Sequence, residues 1–244
     1  YTPQEDRMKK TKQIVTIFAA LALAVTAGLS FAGTKTKAAG SDEFTRTAIE
    51  IAADMGYGWN LGNTMEATNT WTSNPKVTDF ETAWGQPVTT KAMIDGIKKA
   101  GFNSIRIPVS WSNMMSSDGN YTIDASYFKR VDEIISYAFA NDMYVIINDH
   151  YDGGWWEHFC GNKRDCMKHY KNMWTQVAEH YKDYSEKLIF ESANEELGDS
   201  LKKSLSKIDV NIADTALYNL VNEINQTFVD IVRQSGGNNA KRYL

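Results

Sequence analysis

Apolar and polar positions alternate along the chain between two patterns: helical spacing and short continuous apolar runs. Glu43 to Met55 reads as a helix, and Tyr57-Gly58-Trp59-Asn60-Leu61-Gly62 as a strand running into a turn. The stretch from Glu66 to Gln86 is polar, rich in Thr and Asn, and irregular, with Trp71 and Trp84 set within it. Met93, Ile94, Ile97 and Ala100 repeat at helical spacing until Gly101 stops the helix. Asn103 to Val109 reads as a strand ended by Pro108, with a loop through Gly119. Phe128, Val131, Ile134, Ile135 and Ala138 mark the next amphipathic helix. Tyr144-Val145-Ile146-Ile147 is a continuous apolar run, expected of a strand buried on both faces. Met167, Tyr170, Met173, Trp174 and Val177 mark another helix, and Leu188-Ile189-Phe190 another buried strand. Leu217, Leu220, Val221, Ile224, Phe228 and Ile231 form a long helix ended by Gly236-Gly237. Lys241 to Leu244 is a candidate start of a further strand.

Strand and helix in alternation imply a parallel sheet with crossover helices. An open doubly wound sheet and a TIM (β/α)8 barrel both satisfy that order. The open sheet carries a glycine-rich phosphate turn after its first strand, and Asn60-Leu61-Gly62-Asn63 is not that fingerprint. Polar and aromatic residues instead gather at the C-terminal ends of strands, where barrel sites lie. A complete barrel needs about 250 residues, and four strand–helix units already occupy nearly all of this chain. The expected fold is therefore a TIM barrel truncated to about its first four β/α units, over residues 43–244.

The N-terminus changes the picture of location. From Met8 the chain reads MKKTKQ, an apolar run follows from Ile14 to Leu29, and Ser30-Phe31-Ala32 is a small-x-small cleavage signal. Residues 8–32 read as a secretory signal peptide and 33–42 as a linker, so a secreted, extracellular protein is expected. Residues 1–7 precede Met8 and read as non-native upstream sequence, since Gln4-Glu5-Asp6 can be encoded by a run containing a bacterial ribosome-binding sequence. No later stretch is apolar enough to span a membrane. The net charge of -4 carries no basic excess, which argues against nucleic acid as a partner. Aromatic content of 12%, with 7 Trp, supplies the flat faces on which sugar rings pack, although rings of this size also fill cores. Cys160 and Cys166 lie close together in an exported chain, so a local disulfide is expected, with thiols or a zinc site as alternatives. His158 and His169 flank them, but His-x-Cys and Cys-x-x-His in this order match no established zinc spacing.

Candidate chemistry centres on Leu188-Ile189-Phe190-Glu191-Ser192-Ala193-Asn194-Glu195. A buried strand here ends by presenting Asn and Glu. Glycoside hydrolysis needs a carboxylic acid to protonate the leaving oxygen and a hydrogen-bonding group near the sugar 2-hydroxyl, and this pair supplies both. The competing reading is an N-cap for the segment that follows. Arg106 stands near the end of its strand, able to hold a carboxylate in a bidentate fork or to form a structural ion pair. Asn148-Asp149-His150-Tyr151 follows the third strand, with His150 and Asp149 open to structural or catalytic roles.

Four segments together, GWNLGNT, GFNSIRIPVSW, YVIINDHYDGGWW and LIFESANEE, resemble glycoside hydrolase family 5, the endoglucanase family. The resemblance runs from Glu43 to Leu244. It implies a retaining TIM-barrel hydrolase that cleaves internal β-1,4 bonds of a β-glucan such as cellulose, with no metal or cofactor. It also implies Glu195 as the acid/base and Asn194 as the asparagine contacting the sugar beside the scissile bond. Arg106 matches the arginine that supports the nucleophile, and His150 the histidine after strand three. Tyr151 stands where many members have a second histidine. Trp84, Trp155 and Trp156 fall in loops that line the family's cleft. The family nucleophile is a second glutamate far downstream, and after Glu195 this chain has only Glu196 and Glu223, neither placed to end a seventh strand. The fragment alone is thus expected to be inactive, a carbohydrate-binding half-barrel or an inactive truncated product being the alternatives.

Overall fold

The computed structural model describes residues 44–197 and 214–244. The leader over 8–32, residues 1–7 and the linker over 33–42 lie outside the described residues. Four strands, β1 (Gly58–Asn60), β2 (Ser104–Ile107), β3 (Tyr144–Asn148) and β4 (Leu188–Glu191), pair in sequence order. All three pairings are parallel, with Asn60 beside Arg106, Arg106 beside Ile146, and Ile146 beside Ile189.

Helices fill the crossovers: α1 (Ala48–Met55) precedes β1, α2 (Val77–Glu81) and α3 (Lys91–Lys99) lead to β2, and α4 (Ala125–Phe139) leads to β3. α5 (Lys163–Tyr181) leads to β4, and α6 (Asp214–Gln234) follows it. Each start has a local cause. Thr47 and Glu50 form a capping box on α1, Thr90 caps α3 and Asp124 caps α4 through side-chain oxygens that accept first-turn amides. The segment read as irregular from Glu66 to Gln86 contains α2, five residues too short to show a periodicity.

β2, β3 and β4 bury one face fully, while β1 is exposed along its length. Ile105, Ile107, Val145, Ile147, Leu188 and Phe190 are fully buried, packed into the same apolar cluster as residues of α3, α4, α5 and α6. The alternate residues Arg106, Ile146, Ile189 and Glu191 are only partly buried, so β3 and β4 are not sealed on both faces as their apolar runs predicted. Ile146, Ile189 and Glu191 of that second face, with Phe190, Asn225 and Phe228, line a groove of about 410 Å³ along β4.

Two polar anchors fix the frame. Glu81, fully buried, accepts Arg130 Nη2 at 2.7 Å, Arg130 Nε at 2.9 Å and the Thr89 amide at 2.7 Å, tying the long β1–α3 connection to α4. Arg242, also fully buried, donates to the carbonyls of Tyr181, Tyr184, Ser185 and Leu188. It thereby fastens the chain's last residues to α5 and β4. No strand is assigned at 241–244, yet the Phe190 amide donates to the Tyr243 carbonyl at 3.3 Å, so this segment runs beside β4.

Candidate active site

The polar side chains at the C-terminal ends of the strands form one network. Arg106 sits in β2 on the half-open face, and Glu191 ends β4 on that same face because the parallel register preserves the parity of side chains. Arg106 Nε and Nη2 donate to Glu191 Oε2 and Oε1 at 2.7 and 2.8 Å, a bidentate fork. Nη2 also donates to Asn194 Oδ1 at 2.9 Å, and Nη1 to Asn60 Oδ1 at 3.0 Å. Hydrogen bonding to Glu191 raises the Arg106 pKa. The arginine thus acts on a carboxylate as its position suggested, and that carboxylate is Glu191, to which the sequence reading gave no role. Asn194 has its oxygen committed to Arg106, which leaves its amide nitrogen as a donor for a ligand oxygen.

Glu195 opens a 3-10 turn, Glu195–Leu197, and is exposed to solvent. Its neighbour Glu196 is 3% exposed and accepts the Tyr151 amide on Oε1 at 2.5 Å. Burial raises the Glu196 pKa against the opposing backbone hydrogen bonds. The two adjacent glutamates therefore divide into an accessible acid and a buried structural one.

His150 is half-buried, and burial followed by the nearby Arg106 charge lowers its pKa from 6.5 to about 4. It is neutral at neutral pH. Asn148 Oδ1 accepts the Val109 amide at 3.3 Å, which turns Asn148 Nδ2 toward His150 Nδ1 at 3.4 Å. That contact assigns the imidazole proton to Nε2.

The aromatic residues separate into surface and core. Trp84 and Tyr151 are each 41% exposed, and their rings lie 6.1 Å apart at 55°. Trp155 is partly buried, stacked on Trp156 at 4.4 Å and on His169 at 4.4 Å. Trp156 is fully buried, and its indole donates to Asp149 Oδ2 at 3.1 Å. The expected role of Trp156 in contacting substrate is corrected: no face of its ring is accessible. Asp149, open to a catalytic role on sequence, is likewise sealed.

No disulfide joins Cys160 to Cys166, which corrects the expected bridge. α5 begins at Lys163, so Cys166 is already helical and turns into the core, with Sγ 3.9 Å from the Trp155 carbonyl. Burial, then the Asp165 charge, push its thiol pKa up to about 11. His169 is engaged with Ser112 at 3.1 Å and stacked on Tyr121 at 4.3 Å. Among the described residues, no group of three or more His, Cys, Asp or Glu side chains is placed to hold a metal ion. No helix among them is long and apolar enough to cross a membrane.

An accessible acid at the mouth of a parallel β/α sheet, with exposed aromatic rings alongside, is how barrel-type glycoside hydrolases build their clefts. The chain belongs to glycosyl hydrolase family 5, the cellulase family, whose profile matches residues 65–244. It is 42% identical over 232 residues to Endoglucanase A of Paenibacillus barcinonensis, covering 93% of this chain and 54% of that one. Among solved structures it matches a broad-specificity endoglucanase from Ruminococcus champanellensis with bound cellotriose, with a TM-score of 0.69 and 38% identity. That match covers 83% of this chain and 57% of the other. A family 5 lichenase from Caldicellulosiruptor sp. F32 matches with a TM-score of 0.67 and 39% identity, over 82% of this chain and 53% of the other. The chain thus spans about half the length of the relatives it matches, and its four-stranded sheet is part of a TIM barrel.

Proposed function

We propose that this chain carries the acid/base part of an endoglucanase-type site acting on internal β-1,4 bonds of a β-glucan with retention. Glu195 is the acid/base. It protonates the glycosidic oxygen as the bond to the leaving sugar breaks, then takes a proton from the water that resolves the covalent intermediate. Asn194, oriented by Arg106, donates to a sugar hydroxyl near the scissile bond. Neutral His150 offers a further donor, and Trp84 with Tyr151 gives the sugar rings an apolar surface to stack on. Trp155, partly buried and stacked on Trp156 and His169, is a further candidate for that surface. The observation that carries this reading is the exposed Glu195 next to an Asn194 whose oxygen is already held by Arg106.

A second reading, glucan binding without cleavage by this chain alone, is favoured by one further observation. Retention needs a second carboxyl about 5–5.5 Å from the acid. Among the described carboxyls at this end of the sheet, Glu191 is held in the Arg106 fork, and Glu196 and Asp149 are buried. We therefore read none of these three as the nucleophile. A reducing-sugar assay on soluble β-glucan, run beside Glu195→Gln, separates the two. Release of sugar by the unmodified chain that disappears in the variant refutes the binding-only reading. We also read the protein as exported, on the pattern over residues 8–32; a secreted form whose N-terminus lies after Ala32 supports this, and one retaining Met8 contradicts it.

A further inference from the structure

Just beyond β3 the backbone makes a tight reversal. Tyr151 has φ 58° and ψ -52°, and the Asp152 amide donates back to the His150 carbonyl at 2.6 Å. A bond from residue i+2 to residue i across those angles is a γ-turn of the positive-φ kind, the rare and strained form. Positive φ continues through Asp152, Gly153 and Gly154, at 49°, 73° and 78°. The two glycines adopt it freely, but a tyrosine and an aspartate do not. Such a backbone persists only where its surroundings over-determine it.

The surroundings act through the Asp152 carboxylate, which is fully buried. Its Oδ1 accepts the Ser112 amide at 2.6 Å, and its Oδ2 accepts the Ser112 hydroxyl and the Trp155 indole, each at 2.7 Å. With its one proton given to Asp152, the Ser112 hydroxyl oxygen accepts from His169 Nε2 at 3.1 Å. His169 in turn stacks on Trp155 at 4.4 Å and 28°, and on Tyr121 at 4.3 Å and 4°. A closed circuit thus runs from His169 through Ser112 and Asp152 to the Trp155 indole, and back by ring stacking. It ties the turn after β3 to α5 and to the 3-10 turn Trp111–Met114.

The strained residue is the one that shows its ring to solvent. Tyr151 is 41% exposed, and its ring lies 6.1 Å from that of Trp84. The ring passes over Gly154, where an added Cβ would stand 3.7 Å from the Tyr151 hydroxyl. Relaxing Tyr151 to negative φ would redirect its Cα–Cβ bond and take the ring away from Trp84. We propose that Asp152, buttressed by Ser112 and His169, is the positioning residue for Tyr151, holding the γ-turn that keeps the Tyr151 ring beside Trp84 as a two-ring platform for glucosyl units. The part played in glucan binding rests on the function proposed above; the coupling of Asp152 to Tyr151 does not.

The test is a double-mutant cycle in the 244-residue chain, read by cellotriose affinity in Asp152→Ala, Tyr151→Ala and the double variant. Each single change should weaken binding about fivefold to tenfold. In the double variant the second change should add less than about twofold, because Asp152 acts through a ring already removed. Fully additive losses would overturn the positioning role. A magnetisation-transfer contact between the Tyr151 ring and the Trp84 indole should be present in the unmodified chain and lost in Asp152→Ala, with the buried Trp174 indole signal unmoved. Ser112→Ala removes one bond to the carboxylate and the link to His169 but keeps the Ser112 amide. It should weaken the same ring contact, and it decides the matter by both readouts if Asp152→Ala does not fold. Persistence of the ring contact at full strength in the folded variants would overturn the proposal. If no form binds cellotriose, the glucan reading fails, while the ring contact still decides whether Asp152 positions Tyr151.

Discussion

Replacing Arg106 by leucine removes the charged centre of the site while preserving bulk within β2. The side chain is 23% exposed and its partner Glu191 is 33% exposed, so the pair lies between a surface and a buried ion pair. Breaking a buried pair by removing one member costs about 3–5 kcal/mol, whereas exposed pairs contribute about 0–1 kcal/mol. Two charge-assisted bonds to Glu191 are lost, together with those to Asn194 and Asn60. Weighting the two limits by the observed exposure gives a loss of about 2–3 kcal/mol for Arg106→Leu. Arg106→Lys keeps a charge but not the planar fork and should cost about 1–2 kcal/mol. Urea unfolding followed by tryptophan fluorescence measures both, read as a shift in midpoint at constant slope. Cellotriose affinity should fall in parallel, because Asn194 loses the bond that orients its amide. A loss below about 0.5 kcal/mol for Arg106→Leu, the level of an ordinary surface substitution, would refute the reasoning.

Three further outcomes are expected. Arg130→Met strands the fully buried Glu81 and should destabilise the chain by about 3–5 kcal/mol in the same unfolding assay; a loss under about 1 kcal/mol would show the pair to be dispensable. The His150 imidazole should titrate near pH 4 rather than 6.5 in proton–carbon spectra, its stabilising contribution present above 6.5 and lost as pH falls toward 4. A midpoint at the ordinary value would place His150 in open solvent. Cys166 should resist alkylation in the folded chain and react on unfolding, and reducing agent should leave the melting temperature unchanged. A drop in melting temperature on reduction would restore the disulfide.

The strand–helix order was legible because the longer helices α3 to α6 show a 3.6-residue apolar repeat and β2, β3 and β4 carry short apolar runs. Asn194-Glu195 was legible because it follows such a run directly. The partner of Arg106 was not. Pairing it with Glu191 requires knowing that β2, β3 and β4 lie parallel in a register that puts both side chains on one face, and Glu191 is 85 residues away in sequence. The fates of Trp155 and Trp156 were equally hidden, since a turn with four successive positive φ values follows neither a strand nor a helix period. Cys166 was misread because the apolar repeat of α5 becomes visible only at Met167, four residues after the helix begins.

The central claim is that the mouth of the sheet around Glu195 engages a glucan, and a cellotriose titration of the isotope-labelled chain tests it most directly. The Trp84 indole and the Asn194 side-chain amide should shift together with increasing sugar, while the buried Trp156 and Trp174 indoles stay nearly fixed. Shifts confined to other surfaces, or no shift at millimolar cellotriose, would contradict the account.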